Sequence, residues 1–140
     1  MSRRDWLLLT IGDSIEPIQI QKTMFKFAKE SGAPEGATYE FSAYNWGPCS
    51  FKIYDDLGDM REEGLIDAFP TGRGWNRYRL TPEGRSRADS FRAKQRKSNL
   101  TVLQALDTIR AWVTSRAFAT LLNDVYSAYP EYTTASLFSR

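Results

Sequence analysis

A mostly helical α+β fold is predicted by three features of the stretch from Tyr44 to Gly84. Ile53, Leu57 and Met60 fall at i, i+4 and i+7 with Tyr54 beside them, the stripe of an amphipathic helix. Gly64 stands where a left-handed residue ends such a helix, and residues 65–80 read as two strands about the Gly-flanked turn Thr71-Gly72-Arg73-Gly74. Thr81-Pro82-Glu83 then supplies a cap, a proline at the first helical position and an early acidic residue, which together start a new helix.

Taken in order, residues 3–11 read as a short buried helix, because Trp6, Leu7, Leu8, Leu9 and Ile11 leave almost no polar face. Gly12-Asp13-Ser14 breaks it. Pro17 opens a second helix that runs to about Glu30, with Ile20, Met24 and Phe27 at helical spacing and Lys22, Lys26 and Lys29 on its flanks. Tyr39, Phe41 and Ala43 alternate with Glu40 and Ser42, which predicts a short half-exposed strand. Gly47-Pro48 resets the backbone, and the Ser50 hydroxyl is placed to cap a third helix over 50–63, a bond worth ~1 kcal/mol.

In the returning strand Trp75, Arg77 and Arg79 alternate with Asn76, Tyr78 and Leu80. The fourth helix carries Arg85, Arg87, Arg92, Lys94, Arg96 and Lys97 before Ser98-Asn99 breaks it. Two more amphipathic helices follow, Leu100 to about Val113 and Arg116 to about Ala128, and Pro130 ends the second. Three helices, a short strand and a charged hairpin make the layout of a winged helix. The expected division is a winged-helix domain over 1–97, including the basic fourth helix, and a C-terminal helical extension over 98–140. A strand between the second and third helices departs from the short turn of a strict helix-turn-helix.

Charge is unevenly placed along the chain. Residues 1–70 hold seven basic and twelve acidic side chains, whereas residues 71–97 hold nine basic and two acidic ones. A basic block of that density is either a footprint for a polyanion or a solvated helix face. The single cysteine excludes an internal disulfide and fits a reducing compartment. The N-terminus lacks the apolar core and cleavage site of a signal peptide, and no apolar run reaches membrane-spanning length, so a cytoplasmic protein without a membrane partner is expected.

Catalysis is not expected. The chain has no histidine, which removes Ser-His and Cys-His nucleophile pairs and every His-containing metal site. Cys49 before a helix start has no identifiable base and reads as a small residue preceding the helix. Asp55, Asp56, Asp59, Glu62 and Glu63 read as the solvated face of the third helix rather than a metal site. Gly72-x-Gly74 lies between strands, so it is no phosphate loop. No cofactor is expected.

Order and turn chemistry resemble a known group. The series Tyr44-x-x-Gly47-Pro48-x-Ser50, Tyr54-x-x-Leu57, Gly64-Leu65-Ile66 and Tyr78-x-Leu80-Thr81-x-x-Gly84 resembles bacterial and archaeal winged-helix proteins of the YwgA-like kind. Gln21-Lys22 and Tyr129-Pro130-Glu131-Tyr132 extend the resemblance over most of the chain. More loosely, the Trp46-Gly47-Pro48 stretch is similar to the Panacea (SocA-type antitoxin) domain. The hairpin and Leu80-Thr81-Pro82-x-Gly84 are similar to PadR-type repressors. These motifs are turns and caps, so the resemblance implies a fold more than an activity.

The functional expectation is a DNA-binding regulator with duplex DNA as partner. Helix 50–63 carries two basic and five acidic residues, and an acidic outer face repels phosphate. Contact is therefore assigned to the helix start, Ser50 and Lys52, to Arg73, Arg77 and Arg79 of the wing, to Lys22 of the second helix, and to Arg85. Trp75 either packs at the wing base or stacks on the sugar-phosphate backbone. The alternative is a protein-interaction module, an antitoxin or defence-system accessory, whose acidic helix and basic wing face a protein partner. A third reading lines a small ligand pocket with Trp46, Tyr54 and Trp112. Trp112, Phe118, Leu122 and Tyr126 are expected to form a homodimer seam, the alternative being packing within the chain.

Overall fold

The computed structural model describes residues 3–138. Six helices and two antiparallel hairpins follow one another: α1 (Arg3–Ile11), α2 (Pro17–Glu30), β1 (Ser42–Tyr44), β2 (Gly47–Cys49), α3 (Phe51–Glu62), β3 (Ile66–Pro70), β4 (Asn76–Leu80), α4 (Pro82–Ser98), α5 (Leu100–Thr114) and α6 (Phe118–Ala128). Single 3-10 turns occupy Glu35–Ala37 and Pro130–Thr133. The class is α+β and mostly helical. No helix among the described residues is long and apolar enough to cross a membrane.

One apolar core holds the helices together. Trp6, Leu7 and Ile11 of α1 and Ile20, Met24, Phe25 and Phe27 of α2 meet Ile53, Leu57 and Met60 of α3. Leu103, Leu106, Ile109 and Val113 of α5 and Leu121 and Val125 of α6 join the same cluster, so residues 98–138 bury against the first ninety-odd rather than standing apart. Arg110 fixes that union: its guanidinium donates to the carbonyls of Thr10 (2.6 Å), Ile11 (3.0 Å) and Ser14 (3.3 Å), occupying acceptors at the C-terminus of α1.

Turn chemistry explains the hairpin β3–β4 and its neighbours. Gly64 takes φ 76° after α3, and the Leu65 N–H reaches back to the Met60 carbonyl at 2.9 Å, closing the helix end. Ile66 pairs with Leu80 and Pro70 with Asn76, and the tip is held by Thr71, whose hydroxyl donates to the Trp75 carbonyl at 2.8 Å. Thr81 accepts the Gly84 N–H at 3.0 Å and starts α4 with Pro82. A contact absent from the sequence reading adds a third backbone segment to this hairpin: Ile15, in the link between α1 and α2, exchanges both backbone hydrogen bonds with Tyr78 at 3.0 and 2.9 Å.

Two local expectations are corrected. The strand foreseen over residues 39–43 is β1 at Ser42–Tyr44, and the Gly47-Pro48 segment is its antiparallel partner rather than a simple reset. Tyr39 lies outside the strand and is buried, donating its hydroxyl to Asp56 Oδ2 at 2.6 Å. Ser50 stands at the N-cap of α3 but makes no side-chain cap bond. Instead Gln21 of α2 clasps its backbone, Oε1 accepting the Ser50 N–H at 2.8 Å and Nε2 donating to its carbonyl at 2.9 Å.

Candidate functional site

Two surfaces meet at the head of α3: the tip and flank of the β3–β4 hairpin, and a cleft beside it. At the hairpin tip Gly72 and Gly74 take φ 82° and 94°, left-handed geometry that only glycine adopts without strain. Arg73 between them is two-thirds exposed, lying over the Trp75 ring at 5.2 Å and within 3.8 Å of Glu16. Trp75 is 40% exposed at the hairpin's edge.

The basic block is largely matched by carboxylates. Arg77 donates to Ser14 Oγ at 2.7 Å and to Glu16 Oε1 at 2.6 Å. Arg79 stands 3.8 Å from Asp67, Arg85 pairs with Asp13, Arg87 with Asp5 at 3.1 Å, and Arg92 with Asp107 through two bonds. The Arg79 and Arg85 pairs are open to solvent, where such pairs contribute ~0–1 kcal/mol and exchange partners readily. Arg77 is half-buried and fixed.

The remaining expected contact residues divide sharply. Lys52 is exposed, with Asp56 3.9 Å away on the next turn. Ser50 is buried under the Gln21 clasp, so it is not available to a base edge. Lys22 is 2% exposed and donates Nζ to the Pro48 carbonyl at 2.9 Å, so it does not reach a phosphate on the surface. Burial pushes its ammonium down to about 8. The acidic face of α3 also loses a member, because Asp56 is buried against Tyr39 and Arg3, leaving Asp55, Asp59, Glu62 and Glu63 outside.

Of the four residues expected at a dimer seam, two are already covered within the chain. Leu122 and Tyr126 are fully buried within the chain. Lys26 (4.3 Å) and Arg116 (3.7 Å) both lie over the Trp112 ring. Phe118 alone of the four is substantially exposed, and it turns toward Trp46 with ring centroids 5.6 Å apart.

That Trp46–Phe118 pair belongs to a cleft of about 640 Å³ between the start of α2, the β1–β2 hairpin, the start of α3, the β3–β4 tip and the start of α6. Six aromatic side chains line it: Tyr44, Trp46, Phe51, Tyr54, Trp75 and Phe118. All six are at least 40% exposed, and together they are most of the large apolar side chains that the described residues leave open to solvent. Tyr44 and Phe51 meet edge to face at 5.0 Å. Gly47, at φ 93°, lets β2 pass so close that an added Cβ would stand 3.1 Å from the Tyr126 ring. Of the three residues assigned to a ligand pocket from sequence, Trp46 and Tyr54 line this cleft and Trp112 does not.

The floor and rim of the cleft are cationic. Lys22, Arg73 and Arg116 line it against one carboxylate, Glu16, which Arg77 already engages. Arg116 is bound by Asp124 at 3.2 Å. The Cys49 thiol also lines the cleft, and burial pushes its titration up while Lys22 draws it down. The sequence marked only Trp46 and Tyr54 of this site, since its side chains come from five separate segments that nothing local brings together. No protein-family model, curated protein or solved structure matches the chain.

Proposed function

We propose that the chain is a winged-helix DNA-binding protein, a transcriptional regulator that grips duplex DNA by its wing rather than by the face of α3. The observation that carries this reading is the arrangement of three backbone segments around the β3–β4 hairpin. With Ile15 bridging Tyr78, the order runs helix, bridge, helix, short hairpin, helix, strand, strand. It resembles a winged helix with the β1–β2 hairpin inserted before its third helix, and the β3–β4 hairpin ends in an exposed arginine. Arg73, Arg79 and Arg85 supply phosphate contacts, the last two by releasing carboxylates that hold them weakly. Lys52 at the first turn of α3 adds a fourth, while Asp55 and Asp59 keep the rest of that helix away from the backbone.

Fluorescence anisotropy with a labelled duplex pool between 50 and 200 mM salt tests the reading. Affinity should fall steeply with salt, and Arg73→Ala with Arg79→Ala should reduce the log-log slope by about one per contact removed. Arg77 is unsuitable for this test because its bonds to Ser14 and Glu16 serve the fold. Absence of duplex binding at the lowest salt, or a slope untouched by both changes, overturns it.

The exposed Asp55, Asp59 and Glu62 of α3 favour a second reading, a protein-interaction module that offers this acidic face to a basic partner. Reversing Asp55 and Asp59 to Lys separates the two: a module loses its partner, whereas a DNA-binding protein binds duplex more tightly.

A further inference from the structure

We propose that the aromatic cleft at the head of α3 is a nucleotide site, taking a flat heterocycle between its rings and a phosphate against its cations. The walls set the first requirement. Trp46, Phe118, Phe51 and Tyr54 present ring surface that folding has left in water, around a volume within the roughly 300–1,000 Å³ of small-molecule sites. Exposed rings gathered on one concavity suit a planar partner, because every nucleobase offers a face for stacking and needs no matched hydrogen bonds to be held.

Charge sets the second. Lys22 lies on the cleft almost wholly buried. Its ammonium carries three donors, yet the Pro48 carbonyl is its one hydrogen-bond partner, and no carboxylate pairs with it among the described residues. A cation so placed is neutralised by an anion entering the cavity. Arg73 at the wing tip and Arg116 beside α6 add to the same field, and α3 and α6 begin at the cleft without side-chain caps, so their partial positive ends reinforce it. A phosphate monoester, with a charge near −2 at neutral pH, matches this surplus better than a carboxylate.

Tryptophan fluorescence and thermal shift on the full chain, titrated with adenosine, cytidine, guanosine and uridine 5′-monophosphates, test the assignment. Quenching with a raised Tm is expected, and adenosine or inorganic phosphate alone should bind at least ~10-fold more weakly, because each meets half of the site. Short single-stranded oligonucleotides form a second arm: binding tighter than the mononucleotides assigns the nucleotide to a strand, and weaker binding assigns it to a free ligand. Trp46→Leu and Phe118→Ala alter exposed side chains and should fold normally while weakening binding ~10-fold or more. Lys22→Met should abolish the preference for nucleotide over nucleoside. The assignment falls if none of the nucleotides binds, if nucleoside binds as well as nucleotide, if Trp46→Leu leaves binding intact, or if aromatic peptides bind while nucleotides do not. Because no duplex enters the measurement, failure here leaves the wing reading standing.

Discussion

The β3–β4 hairpin runs five residues a side and carries its tip into solvent, whereas β1–β2 runs three a side and is buried along the whole of β2. Both turn on glycines in left-handed geometry, but the space around them differs. A Cβ on Gly72 or Gly74 would meet nothing within 4 Å, while one on Gly47 would press on the Tyr126 ring. The outer hairpin is thus free to present charge, and the inner one serves as a wall that brings Tyr44, Trp46 and Cys49 to a cavity. Two hairpins of similar backbone chemistry take opposite duties because one is long enough to leave the core and the other is not.

The contrast breaks first at the root of the outer hairpin. Gly84 packs so tightly that an added Cβ would stand 1.8 Å from the Leu65 carbonyl oxygen, a backbone atom that cannot step aside. Gly84→Ala should cost about 3 kcal/mol or more and lower Tm by several degrees in calorimetry. A loss under about 1 kcal/mol would mean that the hairpin's root is as loose as its tip.

Next comes the pair of turn glycines. Gly47→Ala meets both a φ of 93° and the Tyr126 ring, so a cost of about 2–3 kcal/mol is expected by denaturant unfolding. Gly74→Ala meets an unfavourable φ in open space and should cost about 1 kcal/mol. Equal costs would erase the distinction between wall and tip.

The smallest expected effect concerns the lysine that holds β2. The folded-state Lys22 titration, lowered from 10.5 to about 8 chiefly by burial, means that the buried charge opposes folding by about 3 kcal/mol below pH 8. Losing the bond to the Pro48 carbonyl returns about 1–2 kcal/mol of that, so Lys22→Met should stabilise the protein by about 1 kcal/mol at pH 7. Between pH 8 and 10.5 the unfolded chain holds the proton that the folded chain has released, so wild-type stability climbs relative to the variant and the gain disappears. Cys49, with a raised titration, acts with the opposite sign, so the series is run in a Cys49→Ser background. A gain that persists at pH 10 would remove the buried charge as its cause.

The outer hairpin was legible in the sequence because each of its parts has a local cause: Gly64, the Gly-flanked turn and Thr81-Pro82 act within a few residues of themselves. The inner hairpin was legible only in part: alternation over 39–43 marked a strand that overlaps β1, but β2, three residues with a central proline, gives no alternation to read. Burial of Lys22, Ser50 and Asp56 was equally hidden, because their partners Pro48, Gln21 and Tyr39 lie 26, 29 and 17 residues away. Leu122 and Tyr126 show the limit of periodicity: it finds an apolar face on α6 without saying whether another chain or this one covers it. The cleft lay furthest from view, as an exposed tryptophan and a core tryptophan look alike in a list of residues.

The bridge between Ile15 and Tyr78, with the Leu80 N–H donating to the Gly12 carbonyl at 3.2 Å, ties β4 to the stretch linking α1 and α2, and Arg110 grips that same stretch from α5. In deuterated solvent the hairpin should therefore label as two populations. Amides near the tip, from Gly72 to Gly74, take up label within the dead time of mixing, as open turns do. Those of Ile15 and Tyr78 wait for a larger opening that frees the link from its arginine clamp, and they exchange in step with each other. The hairpin is in this sense a lever whose fulcrum lies inside the body of the protein.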